Sequence, residues 1–336
     1  KVIIITHLER PGGHIIPSMR LSPVIDYLEK LLNKKVLRAP SCLGEETEAM
    51  VNDLKPGEIL ILENVRFHSG EEKNLKTFAK KLASYADVYV NDAFAVSHRA
   101  QASVVRITEY LPSYAGQLLI KEVTTLNRVL HQPKHPLVVI IGGDKIQTKV
   151  GVIKNFLKKA DFILLAGTIA NTILKAQGVQ VGKSLVDKTT ANELKKLKLT
   201  STKFKLPCDV VLAKSAKEHA KARTSAVGQV DKEEIILDIG SDTLNIFKEV
   251  IKQARMIVWN GPMGLFEIEQ FSQGTEGLAR AIAQAKGESI IGGGSTIEAL
   301  KKYHLIKQID FISTGGGAML EFLAGQVLPG IKPLLK

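Results

Sequence analysis

Three segments near the start of the chain pair a histidine with an arginine. They are His7 and Arg10 in Thr-His-Leu-Glu-Arg-Pro, Arg66 and His68 in Glu-Asn-Val-Arg-Phe-His, and His98 and Arg99 in Asn-Asp-Ala-Phe-Ala-Val-Ser-His-Arg. One such pair is usually an ordinary surface feature. Three, at the same end of successive strands, would converge in space, and guanidinium forks match phosphate and carboxylate oxygens bidentately. The pattern predicts a basin for an anionic substrate. A metal site is the rival reading, but no pair has ligand spacing such as His-x-x-x-His, and the arginines would repel the ion.

Farther along, glycine clusters fall where strands are expected to end: Gly142-Gly143-Asp144-Lys145, Gly292-Gly293-Gly294-Ser295-Thr296 and Gly315-Gly316-Gly317-Ala318. Glycine lets the backbone approach a ligand with its N–H groups turned to phosphates, and a following helix adds its positive end. A single triple glycine could equally be a plain turn. Two of them after strands, with a Gly-Gly-x-Lys, predict a phosphate cradle. Gly178-Val-Gln-Val-Gly182-Lys183-Ser184 is not a P-loop, because only three residues separate its glycines where four are needed; an ordinary turn is expected there. The dinucleotide fingerprint G-x-G-x-x-G is absent, which argues against a dehydrogenase. No serine or cysteine nucleophile has a triad context, and no paired carboxylates occur. Phosphoryl transfer is compatible with that, since its catalysis is mostly positioning and charge neutralisation.

These residues need elements to hold them. Apolar, β-branched runs predict strands at Val2–Thr6, Ile59–Glu63, Val88–Asn91, Leu137–Ile141, Phe162–Ala166, Asp209–Leu212, Met256–Trp259, Ser289–Ile291 and Phe311–Ser313. Helical spacing predicts helices over Val24 to Leu32, Leu75 to Tyr85, Leu244 to Ala254 and Gly277 to Ala285. Alternation of this kind implies βαβ units and parallel sheets, with ligands at the carboxyl ends of the strands. The first group of elements ends near Pro112. A helix is expected from about Gly116 to Leu130, and the prolines of His131-Gln-Pro-Lys-His-Pro136 then break it, so this stretch reads as the connection between two domains.

The bulk numbers agree with that reading. A chain of 336 residues exceeds one ordinary core, and 45% hydrophobic with 24% charged residues is a globular balance. Two distant cysteines, Cys42 and Cys208, argue against a disulfide framework and fit a reducing cytosol. No run approaches the ~20 apolar residues of a membrane span. The chain opens on Lys1-Val-Ile-Ile-Ile, which reads as cut into, leaving room for a preceding segment that carries a signal. The net charge of +12 reads either as a lysine-rich solvated surface, as in Leu157-Lys-Lys and Leu194-Lys-Lys-Leu-Lys, or as attraction for anions. Aromatic residues are only 5% and no nucleic-acid module is visible, so small anions are the better partner.

The chain resembles the phosphoglycerate kinases. The matching signatures are His7-Leu-x-Arg-Pro, Leu62-Glu-Asn-Val-Arg-Phe-His68, Val90-Asn-Asp-Ala-Phe94 with His98-Arg-Ala, Ile257-Val-Trp-Asn-Gly-Pro-Met-Gly264 and Ser313-Thr-Gly-Gly-Gly-Ala318. The resemblance implies an α/β fold of two doubly wound, Rossmann-like parallel-sheet domains joined by a helix, with a cleft between them. Residues 1–115 would bind the triose acid, 116–135 would form the connecting helix and hinge, and 136–320 would bind nucleotide, while 321–336 would return to pack on the first domain. His7, Arg10, Arg66 and Arg99 would form the triose-acid basin. Lys145, with Gly316 and Gly317, would act on the transferring phosphoryl group. Lys149, Gly143, Gly167, Asn260, Glu267 and Gly292 to Thr296 (Gly292, Gly293, Gly294, Ser295, Thr296) would hold the nucleotide, with Glu267 on the ribose. ATP or ADP would come with Mg²⁺, and the protein would be a cytoplasmic, hinge-bending monomer of glycolysis, with no nucleic-acid or membrane partner.

Departures from the family pattern cluster on the site. The family's opening strand, with its Asp-x-Asn motif and a catalytic arginine, has no counterpart here. Glu9 replaces a glycine, Gln101 stands where a second histidine is common, and Ala166-Gly-Thr-Ile169 replaces Gly-Gly-Gly-Met. Ser295 replaces the carboxylate that approaches nucleotide-bound Mg²⁺, so any metal contact there would be weak; Asp144 is an added carboxylate. A divergent, poorly active paralogue that binds nucleotide or phosphate is therefore the alternative to an active kinase.

Overall fold

A computed structural model describes residues 1–195 and 202–335. The chain divides into two compact units, Lys1–Lys121 with Val327–Lys336, and Glu122–Gln326. The division falls inside one helix, Gln117–His131. Residues 321–326 cluster with the second unit, because the helix Gly316–Leu323 packs on the helix Gln147–Phe156; the returning segment is therefore shorter than 321–336.

Among the described residues the first unit carries the strands β1 (Val2–Ile4), β2 (Leu37–Arg38), β3 (Ile59–Ile61), β4 (Tyr89–Asn91) and β5 (Ser113–Ala115). They form a parallel sheet in the order β1-β3-β2 and a parallel pair β4-β5. Its main core gathers Leu60, Leu62, Phe78, Leu82 and Ile107 around the buried Cys42. Phe78, Ala79 and Leu82 recur at helical spacing on Lys76–Ala83, which is why that stretch forms a helix and which face it buries.

The second unit carries β6 (Leu137–Ile141), β7 (Phe162–Leu165), β8 (Phe204–Lys205), β9 (Asp209–Ala213), β10 (Arg223–Ala226), β11 (Ile235–Ile239), β12 (Met256–Asn260), β13 (Glu288–Gly292) and β14 (Phe311–Ile312). Six of them make one parallel sheet, ordered β14-β13-β12-β6-β7-β8. Every residue of β6 and β12 is buried, as expected of strands covered by helices on both faces. From β6 the chain proceeds outward in one direction through β7 and β8, and from β12 in the other. The junction of β6 and β12 is thus a topological switch point, where a crevice opens at the strand ends.

One strand differs from expectation. Asp209–Ala213 is not in the parallel sheet but pairs antiparallel with β10 and β11 in a separate small sheet. An apolar run reports burial and not the direction of its neighbour. The rejected P-loop is a turn: the Lys183 N–H donates to the Glu234 carbonyl at 2.8 Å, so it is not free for phosphate. In the lysine run beginning at Leu194, residues 196–198 lie outside the described residues.

Candidate functional site

In the first unit, the loops that follow β1, β3 and β4 carry the predicted basin. The Val65 N–H donates to the Thr6 carbonyl at 3.1 Å and the Gly13 N–H to the Arg66 carbonyl at 3.1 Å, which fastens the first two loops together. Asn64 completes the tie. Its Nδ2 donates to the carbonyls of Leu8 (2.8 Å) and Met19 (2.9 Å), while its Oδ1 accepts from the Arg66 N–H at 3.1 Å.

Arg66 is only 3% exposed. Its Nη1 donates to the Glu9 carbonyl at 2.8 Å, and its Nε is buried with no hydrogen-bond partner. Burial lowers its pKa, Arg99 and Arg10 add to that, and Glu72 and Glu71 oppose it. Behind it the buried Glu71 is held by Ser103, whose hydroxyl and N–H donate to it at 2.6 and 2.8 Å. His7 is brought down to about 4, chiefly by burial and then by Arg66 and Arg99, so at neutral pH it is a neutral imidazole. His98 is also lowered, by burial first and then by Arg99, with Arg10 and Arg66 adding. His7, Arg10, Arg66 and Arg99 therefore share one electrostatic neighbourhood. It includes His98 as well, as the His98–Arg99 pair in the sequence suggests, although the family motif does not single that histidine out.

His68 differs from its two counterparts. Its ring packs on Phe78 with centroids 5.2 Å apart, its Nε2 meets the Ser41 hydroxyl at 3.1 Å, and burial alone lowers its pKa. Glu9 is exposed and adopts φ 56°, a left-handed conformation that favours glycine, and its main-chain carbonyl accepts from Arg66 Nη1.

In the second unit the switch-point loops interlock through the main chain. The Gly142 N–H donates to the Asn260 carbonyl at 3.0 Å and the Gly143 N–H to the Pro262 carbonyl at 2.7 Å. The Thr168 N–H, beside Gly167, donates to the Gly143 carbonyl at 3.1 Å. A Cβ on Gly142 would lie 2.0 Å from the Pro262 carbonyl oxygen, so the approach of these two loops requires glycine. Asn260 Nδ2 donates to the Gly292 carbonyl at 2.8 Å, and the Thr296 hydroxyl accepts from the Gly261 N–H at 2.8 Å. Asn260 and Thr296 are thus engaged in tying β12 to β13. Gly293 (φ 106°) starts the helix Gly294–Lys302. Gly294 differs from Gly142: a Cβ there would meet nothing within 4 Å. Its main-chain N–H and the exposed Ser295 beside it sit at the open first turn, where the helix end favours an anion.

Lys149 is buried, and its Nζ donates to the Gly142 carbonyl. Burial brings its pKa down to about 8; Asp144 opposes this and Lys145 adds to it. Lys145 and Asp144 are themselves exposed. Gly315 to Gly317 follow β14 and open the helix Gly316–Leu323, while Glu267 is exposed on the segment after β12. Among the described residues no cluster of histidine, cysteine or carboxylate groups could hold a metal ion, and no helix is long and apolar enough to cross a membrane.

A parallel sheet with a glycine-walled switch point in one unit and a three-arginine basin in the other define a phosphate-handling α/β protein. Comparison with known proteins identifies which. The phosphoglycerate kinase family model matches residues 1–326, and the chain belongs to that family. It is 48% identical over 338 residues to the phosphoglycerate kinase of Moorella thermoacetica, covering 99% of this chain and 86% of that protein. It is 44% identical to that of Pelotomaculum thermopropionicum, covering 100% and 86%. The solved phosphoglycerate kinase of Coxiella burnetii superposes with a TM-score of 0.85 at 42% identity, over 99% of this chain and 85% of that one. That of Pyrococcus horikoshii gives 0.85 at 31%, over 99% and 86%.

Proposed function

We propose that the chain catalyses reversible phosphoryl transfer between ATP and the carboxylate of 3-phosphoglycerate, giving ADP and 1,3-bisphosphoglycerate. The observation that carries this is the shared basin of Arg66, Arg99, Arg10 and His7, in which Arg66 is buried with an unpaired Nε. A buried guanidinium with a spare donor costs stability unless an anion completes it. Here the arginines take the phosphate and carboxylate of the triose acid, and neutral His7 donates one hydrogen bond. The cradle of Gly143, Gly167, Gly292, Gly293 and Gly294, with Asn260, Ser295 and Thr296, takes the nucleotide. Lys149 holds its phosphates and Glu267 its ribose. Lys145, Gly316 and Gly317 stabilise charge on the phosphoryl group as it passes in line between oxygens. Hinge bending would bring the two ligands together and exclude water.

Mg²⁺ would enter with the nucleotide as part of the substrate; among the described residues no cluster of histidine, cysteine or carboxylate groups could hold it independently. Ser295 adds at most a neutral oxygen. A monomer working in the cytoplasm on small phosphorylated ligands completes the reading, with the net charge of +12 drawing those anions in.

The test is phosphoryl transfer from ATP to 3-phosphoglycerate with Mg²⁺ titrated throughout. Steady turnover, saturable in both substrates, supports the assignment. A folded protein that binds nucleotide and does not turn over overturns it and leaves a phosphate-binding paralogue.

A further inference from the structure

Neither site uses Asp92, yet its carboxylate is placed with care. Oδ1 accepts from the Leu119 main-chain N–H at 2.9 Å, which caps the first turn of the helix Gln117–His131 from a distant segment. The Gly116 N–H donates to the Asn91 carbonyl at 2.8 Å. A Cβ on Gly116 would lie 2.4 Å from Asp92 Cγ, so the carboxylate reaches the helix only because residue 116 is glycine. Beside it, buried Asn91 donates through Nδ2 to the Gly330 carbonyl at 3.1 Å, and the Gly330 N–H donates back to the Ser97 carbonyl at 2.8 Å. His98 and Arg99 of the basin follow directly, with the Arg99 N–H on the Val96 carbonyl at 2.9 Å. One short stretch, 91–99, thus grips the start of the helix that runs into the second unit, grips the returning C-terminal segment, and carries two basin residues.

We propose that Asp92 is a positioning residue for phosphoryl transfer: its carboxylate holds the start of the connecting helix in register with the loop that bears Arg99. The inference rests on the reaction proposed above. A carboxylate suits this place because the first turn of a helix presents unpaired N–H groups and a positive end. Filling the basin steadies the 91–99 loop, and through Asp92 that steadiness reaches the helix start.

The test compares the full chain with Asp92→Ala, Asp92→Asn and Gly116→Ala, measuring kcat, both KM values, melting temperature, and amide exchange at Leu119 with and without 3-phosphoglycerate. Asp92→Ala is expected to lower kcat about tenfold while leaving KM for ATP unchanged. Asp92→Asn, which keeps the acceptor oxygen and the size, should restore most of it. Gly116→Ala should repeat the loss by displacing the carboxylate. 3-Phosphoglycerate should slow exchange at Leu119 in the parent protein and not in Asp92→Ala. A melting-temperature drop with unchanged kcat, or equal ligand-induced slowing in both proteins, overturns the proposal. A parent protein without turnover overturns the reaction instead, and the exchange comparison still decides for or against Asp92.

Discussion

Glu122 and Thr314 are joined through a single carboxylate oxygen: Glu122 Oε1 accepts from the Thr314 N–H at 2.6 Å and from its hydroxyl at 2.8 Å, while Oε2 is buried without a partner. Glu122 has no exposed surface and lies on the connecting helix; Thr314 precedes the Gly315–Gly317 run. Glu122→Ala would leave the Thr314 donors without their acceptor, so a loss of about 2 kcal/mol is expected in urea unfolding. Because the loop leads into Gly316 and Gly317, kcat should fall with it. An unchanged urea midpoint would show that water replaces the carboxylate at no cost.

Glu9 occupies a left-handed conformation at φ 56° with its side chain in solvent. Glu9→Gly should relieve the backbone and remove a negative charge beside the basin. A gain of about 0.5 kcal/mol in stability is expected, the strain relieved exceeding the extra entropy of glycine in the unfolded chain. Tighter binding of 3-phosphoglycerate at low salt should accompany it. Calorimetric melting and titration at two ionic strengths would check both.

Lys149 loses its proton near pH 8 in the ligand-free protein, below its ordinary range of about 10.5. Phosphate binding favours the charged amine, so nucleotide affinity should decline as pH rises above about 8, and Lys149→Met should remove that decline along with most of the affinity. In stability the sign is opposite. Between about 8 and 10.5 the unfolded chain binds the extra proton, so this group makes the ligand-free fold more stable as pH rises through that window. Titration calorimetry with nucleotide across pH 7 to 10 reads the first, and urea unfolding without nucleotide over the same range reads the second.

Asp238 is a buried carboxylate away from the basin, with Oδ2 accepting from the Gly274 N–H at 2.7 Å and Oδ1 from the Ile239 N–H at 2.9 Å. Burial raises its pKa to about 7, against those two hydrogen bonds. Between about pH 4 and 7 the folded state holds the proton and the unfolded state does not, so its contribution to stability is full below that window and lost as pH rises through it. Asp238→Asn should flatten the stability profile over that range, measured by urea unfolding at pH 5 and pH 8. An equally steep profile in the variant would assign the dependence to another group.

Ser295 stands at an exposed helix start, and under the proposed reaction a carboxylate at this position would meet nucleotide-bound Mg²⁺. Ser295→Asp is expected to raise affinity for Mg²⁺-ATP several-fold without changing affinity for free ATP in the same direction, since only the metal complex gains a ligand. Equal shifts for both would move the explanation to Asp144.

Much of this was legible in the residues alone. Leu137–Ile141 and Met256–Trp259 read as strands because an apolar, largely β-branched run has few other uses, and their glycine-rich sequels mark the strand ends where ligands approach. The helix Gln273–Gln284 was seen only from Gly277 onward, because its first turn is built of Gln273, Gly274 and Thr275, which carry no apolar period; Thr275 is buried by its hydroxyl, which accepts from the Met263 N–H. The helix Gly294–Lys302 was hidden in the same way behind its glycines.

By itself the sequence determined that two α/β units would present one arginine-rich and one glycine-rich set of strand ends, because residue type and local periodicity report on neighbours along the chain. Which histidines face the basin was decided only in three dimensions: His7 and His98 lie among the arginines, whereas His68 packs on Phe78. So were the antiparallel pairing of Asp209–Ala213, the capping of Leu119 by Asp92 and the burial of Glu122 against Thr314. Each depends on which distant segments pack together, and hydrogen bonds between such segments leave no period in the sequence.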